Sequence, residues 1–321
     1  MSESAEGRIR LGISSCLLGN RVRYDGGHKL DTYLRDVLGT YVDYVPVCPE
    51  VELGLPIPRE ALRLVARPDG EVRLVFSRSG GDITEPMRDW ARRRVAELEP
   101  EQLDGFIFKA KSPSSGMERV KLYDGSGMPR KQGVGLFAGI FMEHFPLLPV
   151  EEDGRLNDAG LRENFIASIF TLQRLRHSLA QQLGLGSLVA FHSRHKLLLL
   201  SRSPQLYREL GRLVATAASA PFEDAFARYR VLLLKALKTR PTVKKHINVL
   251  QHILGYFKQY LSADEKQEAL ELIEQYRAGL VPLIVPVTLL NHFVRKYDNA
   301  YLRQQVYLQP HPRELKLLNH V

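Results

Sequence analysis

The run RLGISSC at residues 10–16 decides the fold, because an apolar, strand-like segment ends there in a small polar loop that holds a cysteine. The pattern returns twice, in YVDYVPVC at residues 41–48 and in GFIFKAKSPSSG at residues 105–116. In an open parallel sheet, the loops at the carboxyl ends of the strands gather in one crevice, where ligands bind. The sequence therefore predicts that two thiols, Cys16 and Cys48, meet a serine-rich loop in space.

Strands and helices alternate through the first 150 residues. Helices are predicted over residues 29–37, 84–98 and 135–144, and a short strand is predicted at residues 73–76. Alternation of this kind favours an α/β domain that is layered around a mostly parallel sheet.

The second half of the chain has helical periodicity throughout, so we predict a C-terminal all-α domain. Residues 151–154 are predicted to be a linker, which divides the chain into domains at residues 1–152 and 153–321. The whole net charge of +9 comes from the second half, because residues 1–150 hold 21 Lys and Arg against 21 Asp and Glu. A basic half indicates an anionic partner, with nucleic acid first, and a basic solvated surface is the plain alternative.

The composition and the start of the chain exclude several classes of protein. No run of about 18 or more uncharged apolar residues is present, which argues against a membrane span. The first six residues lack the basic start and the apolar core of a secretory signal, so a cytoplasmic protein is expected. Two cysteines in 321 residues do not suggest a disulfide scaffold.

Taken singly, Cys16 or Cys48 could be a buried cysteine that packs as a small apolar side chain and binds nothing. Their paired placement after two strands, with Pro49 and Glu50 following the second, favours a soft-metal site, because thiolates prefer zinc, copper or iron–sulfur clusters. Zinc sites usually take ligands in close pairs such as C-x2-C, which this sequence lacks. Isolated cysteines on separate loops suit a cluster better.

Several separated motifs, in the right order, resemble the thiouracil desulfidase (TudS-like) family over residues 9 to 145. They are CLLG at 16–19, VRYDGG at 22–27, CPE at 48–50, GLPIPR at 54–59 and KSPS at 111–114. Residues 160–321 resemble the YbgA-like helical domain, through FHSRHK at 191–196, KHINVL at 245–250 and GYF at 255–257. Fused two-domain members of this kind are associated with the removal of sulfur from 4-thiouridine in tRNA.

The resemblance implies a 4Fe-4S cluster that is held by three thiolates and keeps one open iron, a soft Lewis acid for a thiocarbonyl sulfur. It places the ligands at Cys16, Cys48 and position 115. Glu50 would deprotonate the water or shuttle protons, and Ser112 would hold the base or position the water. Without the resemblance, Glu50 is an ordinary surface carboxylate and Ser112 is a turn residue.

The sequence departs from the family at Ser115, where the third cluster cysteine is expected. A serine oxygen is a harder and weaker ligand for iron than a thiolate. Either a cysteine was replaced by design to disable or trap the site, which is the favoured explanation, or a natural member has altered ligation. Both explanations predict a labile or absent cluster and little activity. The resemblance assigns substrate contacts to Arg23, Tyr24, Asp25, Lys111 and Ser114.

The helical domain offers candidate tRNA-binding residues. His192, His195 and Lys196 fall at i, i+3 and i+4 of a predicted helix, and Lys244 with Lys245 opens another. Cationic faces of this kind neutralise phosphates. A metal at the histidine pair is the weaker alternative, because no carboxylate partner accompanies the pair. Structured RNA that is recognised by shape fits better than duplex DNA, since no DNA-binding motif is visible.

The leading prediction is an iron–sulfur desulfidase that converts 4-thiouridine in tRNA to uridine and releases hydrosulfide. A desulfidase of free thiouracil or thionucleosides is one alternative. A cluster-less accessory protein that binds RNA is the other, and Ser115 keeps that alternative open.

Overall fold

The computed structural model describes residues 7–124, 128–181, 184–315 and 317–319. Residues 1–6, in which the sequence predicts no secretory signal, lie outside this description. The chain divides into two compact units, Met1–Leu161 and Arg162–Val321. The first unit is α/β and the second is helical, so the predicted fold class is confirmed. None of the described helices combines the length and the apolar character that crossing a membrane requires.

The described part of the first unit has eight strands in two sheets. In chain order they are β1 (Ile9–Ser14), β2 (Val42–Val47), β3 (Leu62–Ala66), β4 (Val72–Phe76), β5 (Gly105–Phe108), β6 (Val120–Tyr123), β7 (Arg130–Gly133) and β8 (Val150–Glu152). One sheet is parallel, in the order β2–β1–β5–β8. The other is mixed, in the order β4–β3–β6–β7. The sequence predicted the strands β1, β2 and β5 of the parallel sheet, and only β4 of the mixed one.

The core of the first unit centres on aromatic side chains between the parallel sheet and its helices. The helices are α1 (Pro49–Glu52), α2 (Thr84–Leu98) and α3 (Leu136–His144). Phe106 and Phe108 of β5 pack on Phe137 and Phe141 of α3, with ring centroids 4.7 to 6.2 Å apart. Phe106 also lies against Gly12 of β1, where a Cβ atom would come within 2.2 Å of its ring. The glycine in RLGISSC is therefore required by this packing.

The predicted helices are found with one exception. α2 occupies the predicted residues 84–98, and α3 begins within one residue of its prediction. Over residues 29–37 the structure has only a π-helical turn at Tyr33–Val37, continued by a 3-10 turn at Leu38–Thr40. The N–H groups of Lys29 and Asp31 donate to the carbonyls that follow β1, each at 2.9 Å. The start of this segment is thus held on the turn after β1 and becomes helical later.

The predicted linker at residues 151–154 is wrong, because its first half belongs to β8. β8 pairs in parallel with β5, and both of its glutamates are buried. Arg155 pairs with Glu151 at 2.7 Å, and the N–H of Met117 donates to Glu152 at 2.6 Å. An acidic run that looks solvated in the sequence is therefore neutralised by partners elsewhere in the chain. The two compact units divide after Leu161, nine residues beyond the predicted domain boundary at residue 152.

The second unit consists of helices packed around an aliphatic core. They are α4 (Ala159–Gln181), α5 (Leu185–Arg202), α6 (Pro204–Thr216), α7 (Phe222–Lys238), α8 (Val243–Gly255), α9 (Ala263–Arg277), α10 (Ile284–Lys296) and α11 (Ala300–Arg303). Val249, Leu250 and Ile253 of α8 pack with Leu290 and Phe293 of α10 in this core. One face of α8 is therefore fixed inside the unit, which leaves the opposite face to solvent.

Candidate active site

The carboxyl ends of β1, β2 and β5 converge on a cavity of about 70 Å³. Cys16 lies in the 3-10 turn directly after β1, and Cys48 lies between β2 and α1. The segment after β5, residues 109–117, is called the serine loop below. The side chains that line the cavity include Cys16, Cys48, Glu50, Ser112 and Ser115. The structure thus brings together two thiols, a carboxylate and two hydroxyls from three strand ends.

Both thiols are free; Cys16 is buried and Cys48 is half-buried. Burial raises the pKa of Cys16 to about 11, although Lys109 and Arg23 act in the opposite direction. Burial also raises the pKa of Cys48 to about 12. The Cys48 sulfur lies 3.8 Å from the carbonyl oxygen of Val22 and 3.7 Å from Glu50 Oε2, and its single S–H donates to one of these two acceptors. At neutral pH both are therefore thiols that release a proton when they bind a soft metal.

Glu50 is held in place by three neighbours. Ser114 Oγ donates to its Oε1 at 2.6 Å, and Oε2 faces the Cys48 thiol and, at 3.9 Å, Arg59 Nη2. The same Arg59 nitrogen donates to the Val22 carbonyl at 3.0 Å, and its side chain is almost fully buried. Arg59 is the last residue of the GLPIPR motif, and no role is predicted for it from the sequence. It places a buried positive charge near Glu50 Oε2, while the hydrogen bond from Ser114 orients the carboxylate.

The serine loop carries three hydroxyls in a connected series. Ser112 Oγ lies 3.0 Å from Ser114 Oγ, and the N–H of Ser115 donates to Ser112 Oγ at 3.2 Å. Ser115 Oγ is 3.5 Å from Ser114 Oγ. Gly135, at the start of α3, touches the loop backbone, and a Cβ there would lie 2.5 Å from the Ser114 carbonyl carbon. Close contact with α3 therefore fixes the loop that presents Ser112 and Ser115 to the cavity.

Two carboxylates at the end of β8, Glu152 and Asp153, hold both ends of the serine loop; we call them the β8 clamp. Asp153 accepts from the N–H of Ala110 at 2.7 Å and from Lys109 Nζ at 2.8 Å. Glu152 Oε1 accepts from the N–H of Met117 at 2.6 Å, at the other end of the loop. Burial raises the pKa of Glu152, while the N–H groups of Met117 and Glu118, which donate to it, lower that pKa. Sequence reasoning missed the β8 clamp because it placed both residues in a linker.

Replacing Glu152 by alanine is expected to loosen the serine loop. The change leaves the N–H groups of Met117 and Glu118 without their acceptor, which costs about 1–3 kcal/mol of the free energy of unfolding. Hydrogen exchange of these two amides should accelerate, while that of the α3 amides stays slow. Glu143→Ala, at an exposed position of α3, is the matched control. Unchanged exchange at Met117 in the Glu152 variant would contradict the assignment of the clamp.

A metal in this cavity would need a mixed set of ligands. Within the described ranges of the chain, no group of three or more His, Cys, Asp or Glu side chains is arranged to hold a metal ion. Cys16 and Cys48 therefore need a donor of another kind, and the buried Ser115 hydroxyl lines the same cavity. These three donors line one cavity, and the Ser115 oxygen is the weak one of the three for iron.

Two family models match the chain. Residues 11–153 match the model of 2-thiouracil desulfurase, and residues 196–312 match that of a protein of unknown function, DUF1722. The uncharacterized protein YbgA of Escherichia coli K12 is 33% identical over 156 residues, which make up 48% of this chain and 92% of that protein. The chain belongs to the YbgA family. The match of residues 11–153 confirms the prediction of an enzyme that removes sulfur from a thiolated uracil.

Two further relatives each match less than half of the chain. The uncharacterized protein YbbK of Bacillus subtilis 168 is 28% identical over 136 residues, which are 41% of this chain and 88% of that protein. The solved structure of a [4Fe-4S]-dependent thiouracil desulfidase, TudS, is 27% identical. That likeness covers 49% of this chain and 98% of the TudS chain, with a TM-score of 0.40.

The substrate contacts predicted from the resemblance fall into two groups. Arg23 and Tyr24 line the cavity, with the Arg23 guanidinium 5.5 Å from the centre of the Tyr24 ring. Asp25 and Lys111 are exposed and lie outside the lining of the cavity, so their contacts with a substrate stay a prediction. Ser114 is fully buried and bonded to Glu50, so it positions that carboxylate instead of touching a substrate.

The predicted RNA contacts of His192 and His195 are wrong, because both histidines lie inside the YbgA-like unit. Their side chains are 2% and 1% exposed. His192 Nδ1 lies 3.2 Å from the hydroxyl of Tyr229, and His195 Nδ1 donates to the carbonyl of Phe191 at 2.7 Å. The i, i+3 spacing marked a shared helix face correctly, but that face packs into the core.

The three predicted lysines differ in exposure. Lys245 is half-buried, and its Nζ donates to the carbonyl of Arg202 at 2.6 Å, at the C-terminal end of α5. Cations are favourable at that end of a helix, so Lys245 has a structural task. Lys196 is half-buried, and Lys244 is exposed on the first turn of α8. Lys244 therefore has the most accessible position among the five predicted contacts.

The buried histidines predict acid sensitivity of the YbgA-like unit. Burial lowers the pKa of His192 and His311 to about 4 and that of His195 to about 3, whereas the unfolded chain binds these protons near pH 6.5. Unfolding below that pH therefore takes up protons, and stability falls as the pH falls. Burial raises the pKa of Glu163 to about 7, so between about pH 4.5 and 7 the folded chain holds a proton on Glu163 that unfolding releases. This release partly offsets the proton uptake by the histidines.

We expect the free energy of unfolding to fall by roughly 3 kcal/mol per pH unit between about pH 6.5 and 4.5, as the net of these groups. His195→Gln should reduce the slope by about 1.4 kcal/mol per pH unit, which corresponds to one proton. The exposed His252→Gln is the control and should leave the slope unchanged. Urea unfolding monitored by hydrogen exchange of α5 measures both, and equal slopes in the two variants would contradict the prediction.

Proposed function

We propose that this protein is an iron–sulfur-dependent desulfidase that converts 4-thiouridine in tRNA to uridine and releases hydrosulfide. The observation that carries the proposal is the convergence of Cys16, Cys48 and Ser115 with Glu50 and Ser112 on one cavity. The match of residues 11–153 to the 2-thiouracil desulfurase family supports the type of reaction. The basic second half of the chain supports a nucleic-acid substrate.

Cys16 and Cys48 would hold the cluster as thiolates, and Ser115 would occupy the third ligand position. A bound cluster with one iron that lacks a protein ligand supplies a soft Lewis acid for a thiocarbonyl sulfur. The hard oxygen of Ser115 makes this set weaker than three thiolates, so the cluster is labile. Low activity of the chain as it stands follows from that lability.

The remaining chemistry depends on residues of the chain. Glu50 takes a proton from a water molecule at the cavity, because Ser114 and Arg59 hold its carboxylate beside the cavity. Ser112 Oγ lines the cavity and positions that water or the base. The water oxygen adds to the ring carbon, the carbon–sulfur bond breaks, and sulfur leaves as hydrosulfide. The thiocarbonyl becomes a carbonyl, so water is the only co-reactant and no electron is transferred.

The rim of the cavity suits a pyrimidine. Tyr24 is 43% exposed, and the guanidinium of Arg23 lies near its ring. A flat aromatic side chain beside a cation can stack on a base and face its phosphate. A nucleotide in a tRNA must leave the base stack to reach this site, at a cost of about a few kcal/mol.

Because the chain as it stands is expected to have low activity, the test uses the full chain with Ser115→Cys, after anaerobic reconstitution with iron and sulfide. It is incubated with tRNA that contains 4-thiouridine and, separately, with free thiouracil and 4-thiouridine nucleoside. We expect 4-thiouridine to disappear from the tRNA while uridine and sulfide appear in equal amounts. If sulfide appeared only with the free compounds, the proposed tRNA substrate would be wrong and the substrate would be a small molecule. Binding of tRNA without any sulfide would leave an accessory protein that binds RNA.

A further inference from the structure

A stretch of the helical unit contains no carboxylate. Residues 225–263 hold no Asp or Glu, whereas their Lys and Arg residues are Arg228, Arg230, Lys235, Lys238, Arg240, Lys244, Lys245 and Lys258. This stretch spans nearly all of α7, the whole of α8 and the turn that follows α8. Within the described part of the chain, neither Lys244 nor Lys258 is paired with a carboxylate. The surface formed by α8 is therefore basic without local compensation.

One side of α8 presents four exposed residues at a spacing of four. They are Lys244, Asn248, His252 and Tyr256, which we call the α8 face. At about 1.5 Å per residue, the face runs about 18 Å along the helix axis, a distance that spans several nucleotides of a single strand. The opposite side of α8 is packed in the core through Val249, Leu250 and Ile253. The α8 face thus has a fixed position on the surface.

Aromatic rings extend the α8 face at its C-terminal end. Tyr256 stacks on Tyr301 of α11, with ring centroids 5.5 Å apart and an interplanar angle of 26°. His252 meets the Tyr256 ring edge-on at 5.5 Å. The two tyrosines remain 39% and 37% exposed. Burial raises the pKa of Tyr301 to about 12, so its phenol carries no charge that would repel a phosphate at neutral pH.

A second aromatic pair follows in the turn after α8. Tyr260, four residues beyond Tyr256, is 60% exposed, and its ring centroid lies 5.5 Å from that of Tyr297. Lys296 Nζ lies 5.0 Å from the centre of the Tyr297 ring. Lys296 pairs with Glu265 at 2.6 Å, so among the described residues the cations of this surface that have no carboxylate partner are Lys244 and Lys258. Exposed tyrosines in two successive pairs are unusual on a surface that only contacts water.

We infer that the α8 face, extended by Tyr301 and Tyr260, binds a single-stranded segment of the RNA substrate. Lys244 and Lys258 contact phosphates, and an unpaired base stacks on Tyr256. The inference rests on the proposed tRNA substrate and names the surface that engages it. Single-stranded RNA is recognised by stacking on aromatic rings along a basic groove. An acidic peptide would pair with the lysines but would provide no flat group to stack on the exposed tyrosines.

The test measures binding of the full chain to bulk tRNA and to oligouridylate at two salt concentrations. Tyr256→Ala should weaken binding to both by about 10-fold or more, as expected for the loss of one stacked base. Tyr256→Phe keeps the ring and should restore most of the affinity. Lys244→Gln should reduce the slope of log affinity against log salt by about one, the contribution of a single phosphate contact. Lys266→Gln, an exposed lysine of α9, is the matched control and should leave that slope unchanged.

The outcomes separate this inference from the proposed function. Undiminished tRNA binding by both Tyr256→Ala and Lys244→Gln would overturn the inference and leave the tRNA substrate standing. No binding of tRNA by the native chain would overturn both. Binding of polyglutamate at the strength of oligouridylate would also overturn the inference, because it would indicate an acidic protein partner. Circular dichroism and thermal unfolding of each variant check that the helical unit remains folded.

Discussion

Ser115→Cys is expected to raise the iron and sulfide content of the anaerobically reconstituted protein by about 10-fold or more. Substitution of residues that only hydrogen-bond to metal ligands already changes metal affinity by about 10–100-fold. Ser115→Cys changes a ligand position itself, so its effect should be at least as large. Ser115 is 4% exposed and lines the cavity that Cys16 and Cys48 share. A thiolate at position 115 would complete three soft donors from three strand ends.

Desulfidation should increase with cluster content, because the proposed chemistry depends on the cluster. Iron and sulfide are quantified chemically, the visible iron–sulfur absorption is recorded, and sulfide release from thiolated substrates is measured on the same samples. Ser201→Cys is the matched control, since Ser201 is a buried serine of α5 and its hydroxyl donates to the Leu198 carbonyl. An equal gain in both variants would show that the added thiol collects iron without forming the site.

The Ser115→Cys substitution leaves the neighbouring hydrogen bond of the serine loop to Glu50 in place. Ser115 Oγ lies 3.5 Å from Ser114 Oγ, and Ser114 donates to Glu50. A larger sulfur at position 115 leaves the Ser114–Glu50 bond available, because it replaces neither partner. No gain of iron in Ser115→Cys would therefore exclude this cavity as the cluster site, and with it the proposed iron–sulfur chemistry.

The crevice could be predicted from the sequence because it depends on short-range patterns. RLGISSC and its two counterparts mark strands by apolar runs, and parallel pairing places their ends together. Gly12 was visible as a glycine inside a strand, but its contact with Phe106 is a long-range property that no local pattern contains. The strands could thus be predicted, whereas the packing that fixes their spacing could not.

The β8 clamp shows why acidic runs mislead. Charge in a local window predicts a solvated linker, and only the partners of Glu152 and Asp153, more than 30 residues away, make their burial favourable. The mixed sheet was missed for a related reason. Its strands β6 and β7 have only four residues each, and β7 carries no apolar side chain, so the alternation that marks a strand is weak there.

The histidine pair shows the limit of spacing as a guide to function. An i, i+3 pattern defines a helix face, but whether that face meets solvent depends on the neighbouring helices. Tyr229 and Phe191 take the hydrogen bonds of His192 and His195 inside the unit. The aromatic stack of Tyr256 and Tyr301 joins α8 to α11 across 45 residues, so it was not visible in any local window.

Glu50→Gln is expected to lower kcat by about 10²- to 10⁴-fold, the contribution of a positioned general base. The amide keeps the size of the side chain and can still accept from Ser114, so the geometry of the cavity is preserved. The measurement is made in the Ser115→Cys background, where the cluster content is high enough for kinetics. Glu97→Gln, an exposed position of α2 that pairs with Arg94, is the matched control.

The ratio of kcat to cluster content separates a proton-transfer role of Glu50 from a structural one. A base acts after the substrate is bound, so Glu50→Gln should lower kcat while the iron content and the affinity for tRNA stay unchanged. Because Glu50 Oε2 lies 3.7 Å from the Cys48 thiol, a parallel fall in iron would instead indicate that Glu50 supports the ligand. Ser114→Ala removes the donor to Oε1 but leaves the carboxylate, so it should cost less, about 10-fold. A loss for Ser114→Ala as large as that for Glu50→Gln would place the proton transfer on the serine loop and not on Glu50.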